Sequence, residues 1–475
     1  MLAVRRGKAM TTIETDYLLI GAGAMGLAFA DSLLTQSPDA TITIVDRHAK
    51  PGGHWNDAYG FVTLHQPSAN YGVTSMPLGS GQIDTHGPNS GMYELASGPE
   101  VLAYFDKVMH RRLLPTGQVR YFPMSEYAGD GRIVSLISGA ETRVSIARKT
   151  VDSTYLATSV PSTHTRKFAV AEGVRIMAPN GLPDLWRAPA DMPKHFTVLG
   201  AGKTAMDTLI WLLNAGATPD MITWVVPRAA WFFNRLAVQP GFEFFDETIG
   251  CQLRVMQAQA VASDPADLFL RLEACGFMHR ISRDELPVMF HYAVVSEAEV
   301  AILRRITDIV HMGHVQALEP ARMLLTQGNR PIAPGTLFID CTATAVSRRP
   351  PVPVFQPGLI VLQMVRLPLP TFSAAMIAWL EANVEGEAAQ NALSAAVPLP
   401  DTIDDFPNAQ LFNMTNQSQW SKNPALKAWI VENRLEGFGK TMRSVPPTDT
   451  AKLAILQQMQ PAAMESIANL QRMIG

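Results

Sequence analysis

The stretch Tyr17-Leu18-Leu19-Ile20-Gly21-Ala22-Gly23-Ala24-Met25-Gly26 constrains this chain more than any other. An apolar run of strand length meets Gly-x-Gly-x-x-Gly, and the residues that follow, with Ala28, Phe29, Ala30, Leu33 and Leu34, read as a helix. Thr41-Ile42-Thr43-Ile44-Val45-Asp46 then reads as a second strand with an acid at its end. Strand, glycine turn, helix and distal acid in that order predict a βαβ unit that holds the ADP half of a dinucleotide. In such a unit Gly21 makes the tight turn, Gly23 lets the backbone approach a pyrophosphate, and Gly26 lets helix and strand pack closely. The anion rests on the helix N-terminus, where free N–H groups and the macrodipole favour negative charge. Asp46 is placed to accept hydrogen bonds from ribose hydroxyls, and an acid there disfavours a 2′-phosphate. FAD or NAD, rather than NADP, is expected at this first site.

The pattern then returns. Phe196-Thr197-Val198-Leu199-Gly200-Ala201-Gly202-Lys203-Thr204-Ala205 is a strand followed by Gly-x-Gly-x-x-Ala, with a helix carrying Leu209, Ile210, Leu212 and Leu213 behind it and Gly216 placed to stop it. Met221-Ile222-Thr223-Trp224-Val225-Val226 is the next strand, and it ends in Pro227-Arg228 instead of an acid. A guanidinium where the ribose-reading carboxylate would sit suits a 2′-phosphate, so this second site should prefer NADPH, with Lys203 adding charge to the same phosphates. Two fingerprints in one chain say more than either alone, because a dehydrogenase with a single nucleotide has no use for the second.

Between the fingerprints, Pro51-Gly52-Gly53-His54-Trp55 is a loop by composition, and a Gly-Gly pair before a large aromatic suits backbone running close to a flat ring system. Tyr59 to Tyr71, with His65, Gln66 and Asn70, has neither helical nor strand periodicity and reads as a cofactor-lining loop. Val101 to Arg112 reads as an amphipathic helix; Val119–Phe122, Ile133–Leu136 and Arg143–Ile146 read as a three-stranded meander; Thr158 to Asp191 reads as a connection between domains. Trp231 to Leu303 is expected to be a helical insertion, with capping-box patterns at Ser282-x-x-Glu285 and Ser296-x-x-Glu299. Thr336-Leu337-Phe338-Ile339-Asp340-Cys341-Thr342-Ala343 is expected to return the chain to the first domain. Pro368-Leu369-Pro370-Thr371 then opens a helix from Phe372 to Leu380. Beyond Glu381 only helical pattern and loop remain, with no chemistry evident.

With 475 residues, 47% hydrophobic and 17% charged, the chain can bury two or three cores. A formal net charge of −3 and the lack of a basic stripe argue against a nucleic-acid partner. Cys251, Cys275 and Cys341 are far apart in sequence, which excludes a dithiol centre built on neighbouring cysteines and suits a reducing cytoplasm. Met1 to Met10 has no apolar core behind its charges and reads as a leader rather than a signal peptide, and no window has the length of a membrane span. His311 and His314 lack a third ligand nearby and read as structural histidines, so no metal is expected.

The order of fingerprint, Gly-Gly-x-Trp loop, meander, second fingerprint with Arg after its strand, and a strand ending Cys341-Thr342-Ala343 resembles the two-dinucleotide flavoproteins. The chain is most similar to the flavin-containing and Baeyer–Villiger (class B) monooxygenases, over roughly residues 12 to 385. That resemblance implies an α/β protein with two Rossmann-like dinucleotide-binding domains (the glutathione-reductase-like FAD/NAD(P) fold), the second inserted in the first. The FAD-binding domain would span 12–160. An NADPH-binding domain would span 190–335 with a helical insertion at about 231–305, and 336–475 would complete the first domain with extra helices. It implies FAD at Gly21, Gly23, Gly26 and Asp46, with Arg47, Gly53, His54, Trp55, Gln66, Thr342 and Thr371 around it. It implies NADPH at Gly200, Gly202, Lys203, Thr204 and Arg228, and Gln66 and Asn70 as flavin-facing catalytic groups. The implied reaction is oxygenation of a small organic molecule by molecular oxygen through a flavin C4a-peroxide, in the cytoplasm, with a homodimer left open. The family's Phe-x-Gly-x-x-x-His motif is absent between Pro161 and His195, Lys203-Thr204-Ala205 replaces x-Ser-Ala, and Cys-Thr-Ala replaces Ala-Thr-Gly. A reductase or dehydrogenase on the same fold therefore stands as the alternative.

Overall fold

The computed structural model describes residues 11–187 and 191–475. The leader Met1 to Met10 and the domain boundary expected at residue 190 lie outside the described residues. Thr11–Ile20 is an inner strand of a parallel sheet, flanked by Ile42–Val45 on one side and by the long strand Glu141–Asp152 on the other. Val119–Phe122 pairs outside Ile42–Val45, and Leu359–Val361 outside Glu141–Asp152, both in parallel. All four residues of Ile42–Val45 are buried, as expected of a parallel strand covered on both faces. The helix Ala24–Gln36 covers one face and packs against Pro370–Asn383, where the Ser32 hydroxyl donates to the Ala375 carbonyl at 2.9 Å.

A second sheet is parallel throughout, in the order Arg175–Met177, Thr336–Asp340, His195–Leu199, Ile222–Val225, Ile309–Val310. Helix Lys203–Asn214 follows its middle strand, as the second fingerprint requires. The chain leaves the first sheet after Asp152 and rejoins it at Phe355–Gln356 and Leu359–Val361. Two Rossmann-like units thus make up the α/β core.

Four expectations change. Thr336–Asp340 does not return to the first sheet; its five buried residues pair with His195–Leu199 and Arg175–Met177 inside the second. A strand apolar on both faces belongs in a sheet interior, and the second sheet offers that place. Val119–Phe122 is not part of the meander, which is instead Ser125–Tyr127, Arg132–Ser135 and the first part of Glu141–Asp152. The insertion after Trp231 is mixed rather than helical. It carries a sheet of Met278–Arg280, Ala230–Asn234 and Met289–Val295, with helices Cys251–Val261 and Pro265–Ala274 beside it. Its aromatic core, including Trp231, Phe269, Phe290 and Phe406, gives the strands a face to bury, which short-range periodicity did not reveal. Finally, no helix follows Ser282, whereas Ser296 does cap Glu297–Leu303 with a complete capping box. Among the described residues no helix is long and apolar enough to cross a membrane.

Helix Gly98–Val108 starts with a second complete box: Ser97 Oγ accepts from the Glu100 N–H, and Glu100 Oε2 accepts from the Ser97 N–H at 2.7 Å. Ser97→Ala should cost about 1 kcal/mol. That is a fall of roughly 2 °C in the thermal midpoint, with faster hydrogen exchange at the Glu100 amide; Ser97→Asn should restore both.

Candidate dinucleotide-binding site

The first cradle is built by steric exclusion. A Cβ on Gly26 would lie 2.3 Å from the Gly21 carbonyl oxygen, so only glycine lets the helix sit this close to the turn. Gly21 has φ +97°, and Gly23 precedes the helix with no side chain capping it, so the first-turn N–H groups face outward unclaimed. The Gly52-Gly53 loop runs against this turn: a Cβ on Gly53 would come within 3.0 Å of the Gly23 Cα. Trp55 is buried just beyond, its indole N–H donating to the Tyr71 hydroxyl at 2.9 Å, and His54 stacks on it. Burial pushes the His54 imidazole down to about 4, so it is neutral at physiological pH.

Asp46 stands at the end of its strand, 6% exposed. Its Oδ2 accepts from the Ala22 N–H at 2.6 Å, and its Oδ1 accepts from the His48 N–H at 2.7 Å and lies 2.9 Å from His48 Nδ1. These contacts take about three of the roughly four acceptor positions of a carboxylate. Asp46 therefore organises the glycine turn and keeps one acceptor position open. Burial alone would raise its pKa, but the hydrogen bonds from His48 and Ala22 prevail and hold it below the usual carboxylate range. His48 is raised in return, chiefly by its bond to Asp46, with Asp57 Oδ2 adding a contact to Nε2 at 2.9 Å.

The second cradle repeats the design. Gly202 precedes helix Lys203–Asn214 without a side-chain cap, and a Cβ on Gly200 would meet the Cys341 carbonyl oxygen at 2.6 Å. The Trp224 indole N–H donates to the Gly200 carbonyl at 2.7 Å and fixes the turn. A concavity lined by Ala201, Trp224, Val226, Ile281 and His311 opens beside it. Arg228 lies past the strand end, 49% exposed, with its guanidinium 3.9 Å from Asp401, which Arg348 also pairs. Arg228 and Arg348 thus share the Asp401 carboxylate, and burial, with Arg228 and Lys167 adding to it, lowers the nearby His314.

Lys203, expected near the second nucleotide's phosphates, is held by carboxylates. Its ammonium pairs with Asp207, one turn along the helix, and lies 3.4 Å from Glu299. Glu299 also binds Arg235, 1% exposed, at 2.7 Å, and the Tyr59 hydroxyl donates to Asp207 at 2.7 Å. Arg235 further donates to the His65 carbonyl, and His65 Nδ1 accepts from the Val294 N–H at 3.0 Å. Burial pushes His65 down to about 3, so it is neutral with its proton on Nε2. Phe61 stacks on Trp211 of the same helix, ring centroids 5.0 Å apart. The loop after the first cradle is thus bound to the helix of the second through a buried, charge-balanced cluster.

Of the remaining expected residues, Gln66 is half-buried, and its amide has no hydrogen bond among the described residues. Asn70 is buried between Gly437, whose Cβ position lies 3.1 Å from Asn70 Oδ1, and the Val238 carbonyl at 3.5 Å. Arg47 is exposed, and Thr204 lies close to Tyr59. Thr342 gives its hydroxyl to Asp340 at 2.7 Å, and Thr371 is buried at the start of its helix. The sequence reading missed Arg434. From the far C-terminal region it donates to the carbonyls of Ala69, Tyr71, Val73 and Met76, and so holds the chain around Asn70. It also missed Tyr59, Arg235 and Glu299. The capping box at Ser296 and Glu299 was visible in sequence, but its second use as an ion-pair acceptor was not.

A family model described as an NAD(P)-binding Rossmann-like domain matches residues 19–82. An uncharacterized protein of Mycobacterium tuberculosis is 46% identical over 427 residues, 89% of this chain and 78% of that protein. This chain belongs to the same family. A relative in Mycobacterium bovis matches to the same extent. An FAD-dependent monooxygenase of Aspergillus sclerotiorum is 26% identical over 219 residues, 44% of this chain and 36% of that one. Among solved structures, a polycyclic ketone monooxygenase of Thermothelomyces thermophila is similar with a TM-score of 0.48 and 11% identity, covering 98% of this chain and 86% of that one.

Two outcomes follow from the geometry. His48 has its pKa raised, so its contribution to stability is complete below its unfolded value and is lost as pH rises through the folded one. Its NMR titration midpoint should lie above 6.5, and Asp57→Asn should lower it. Glu299→Gln should destabilise by roughly 3 kcal/mol, because it strands the buried Arg235 cation. Arg235→Met together with Glu299→Leu should recover much of that loss in thermal unfolding.

Proposed function

We propose that this protein is an FAD-dependent, NADPH-consuming oxidoreductase, a monooxygenase that oxygenates a small organic molecule with molecular oxygen. One observation carries the reading: two glycine cradles ending in uncapped helix N-termini, joined by the Tyr59 to Tyr71 loop. The 219-residue likeness to a fungal FAD-dependent monooxygenase supports it. Gly21, Gly23, Gly26, Asp46 and Gly53 would hold FAD, with Trp55, Gln66 and Asn70 along the chain that leads from its ADP end. Gly200, Gly202 and Thr204 would receive the second pyrophosphate, and Arg228 a 2′-phosphate. When bound, FAD would supply two-electron redox chemistry between a nicotinamide and oxygen, and these residues would hold it.

The protein's own share is binding, orientation and exclusion of water. Gln66 offers a free amide for a ring carbonyl or N–H. Asn70 is held still by Gly437 and Val238 on either side, with Arg434 fixing the surrounding backbone. Tyr59 and Phe61 hold the two nucleotide units at a set distance. The absent Phe-x-Gly-x-x-x-His motif favours the second reading, a reductase that passes electrons to an organic acceptor without oxygen insertion.

Anaerobic mixing with NADPH should bleach the flavin absorbance faster than NADH does, and readmitted oxygen with a substrate present should yield an oxygenated product. Flavin that bleaches but never inserts oxygen would move the assignment to reductase. Arg228→Ala should raise the KM for NADPH about 10- to 100-fold, the loss expected for a charged hydrogen bond, and leave NADH nearly unchanged. Equal effects on both would remove the role given to Arg228.

A further inference from the structure

We propose that Cys251 and Cys275 form a peroxide-oxidised dithiol, a modification site in the insertion that is independent of the nucleotide cradles. The two cysteines are distant in sequence, but helix Cys251–Val261 and helix Pro265–Ala274 are joined by only a few residues and fold back as a hairpin. Such a hairpin sets the start of the first helix beside the end of the second. Cys251 is the first residue of one, and Cys275 caps the other.

The contact is close. Cys251 Sγ lies 3.8 Å from the Cys275 carbonyl oxygen, and Cys275 Sγ lies 3.4 Å from the Leu272 carbonyl oxygen on the last turn of the neighbouring helix. Both cysteines are reduced, Cys251 is buried and Cys275 is half-buried. The pair is also unequal. The neighbouring Cys251, the Phe277 N–H and the Arg254 guanidinium lower the Cys275 thiol from its ordinary value against the opposing effect of burial. Cys251 is pushed up, chiefly by its bond to Cys275 and then by burial. Cys275 therefore offers the nucleophile and Cys251 the protonated partner that resolves it. Cys341 is a built-in control: it is buried beside the Thr208 hydroxyl at 3.6 Å, and burial pushes it up to about 12.

The chemistry balances with hydrogen peroxide as the oxidant. The Cys275 thiolate attacks one peroxide oxygen, the O–O bond breaks, and hydroxide leaves, giving a sulfenic acid. Cys251 sulfur then displaces the sulfenic oxygen as water, forming the S–S bond. Two thiols are oxidised by two electrons and one peroxide is reduced to two waters. Hydrogen peroxide is what reduced flavin releases when it meets oxygen without a substrate, so the proposed activity would supply the oxidant locally. The site itself does not rest on that reading.

The test treats purified full-length protein with hydrogen peroxide, alkylates the remaining thiols and maps peptides by mass spectrometry. The expected result is loss of two hydrogen atoms, a Cys251–Cys275 cross-linked peptide, and Cys341 still alkylated. Cys251→Ser should stop the reaction at a sulfenic acid on Cys275 that dimedone traps, and Cys275→Ser should leave Cys251 unoxidised. Because Cys275 is half-buried, its serine variant tests the proposal even if the Cys251 variant unfolds. Wild-type protein that keeps both thiols alkylatable, or that carries a dimedone adduct on Cys275 without the cross-link, would overturn it.

Discussion

The N–H groups that open helices Ala24–Gln36 and Lys203–Asn214 have no side chain to accept them. A helix leaves its first N–H groups without partners inside the helix; at several other starts serine, aspartate or asparagine meets that need, while Pro370–Asn383, Glu387–Ala392, Phe406–Ser421 and Gly439–Arg443 also begin without a side-chain cap. At these two starts glycine stands in place of a cap, and the glycine turns keep other atoms out of the space in front. A glycine-rich turn that lets a ligand approach such a start makes it suited to an anion. The close approaches at Gly26 and Gly53 serve the same end, since any larger residue would push the helix or the loop away from the turn.

The second constraint is the charge cluster between the units. Lys203, Asp207, Glu299 and Arg235 balance to zero, and Tyr59 joins them through a hydroxyl. Burying four charges is costly unless each finds a partner, and here each does. The cluster ties the Lys203–Asn214 helix to the loop that leads from the first cradle, so the spacing of the two cradles is set by protein contacts. It also changes the role of Lys203. Its ammonium is held by two carboxylates, Asp207 and Glu299, inside the cluster.

Both fingerprints were legible in the sequence because they are local: strand, turn and helix follow one another, and glycine marks close approach directly. Helix Pro370–Asn383 was legible for the same reason, through proline at its start. Thr336–Asp340 was legible as a strand but not as a member of the second sheet, since an apolar strand carries no label for its neighbours. The insertion read as helical because Ala230–Asn234 and Met289–Val295 are short, largely apolar and without strand alternation, and their aromatic core gives them a face to bury. Arg434 could not have been found: its partners are backbone carbonyls some 360 residues earlier in the chain. Cys251 and Cys275 meet for a similar reason, through a helical hairpin and not through spacing.

Nucleotide stoichiometry tests the two-cradle account most directly. Equilibrium titration of the purified chain should find one FAD and one nicotinamide nucleotide per polypeptide. Gly23→Val should abolish the first while leaving the second, and Gly202→Val the reverse. A single nucleotide per chain, or loss of both ligands from either substitution in protein that remains folded, would contradict it.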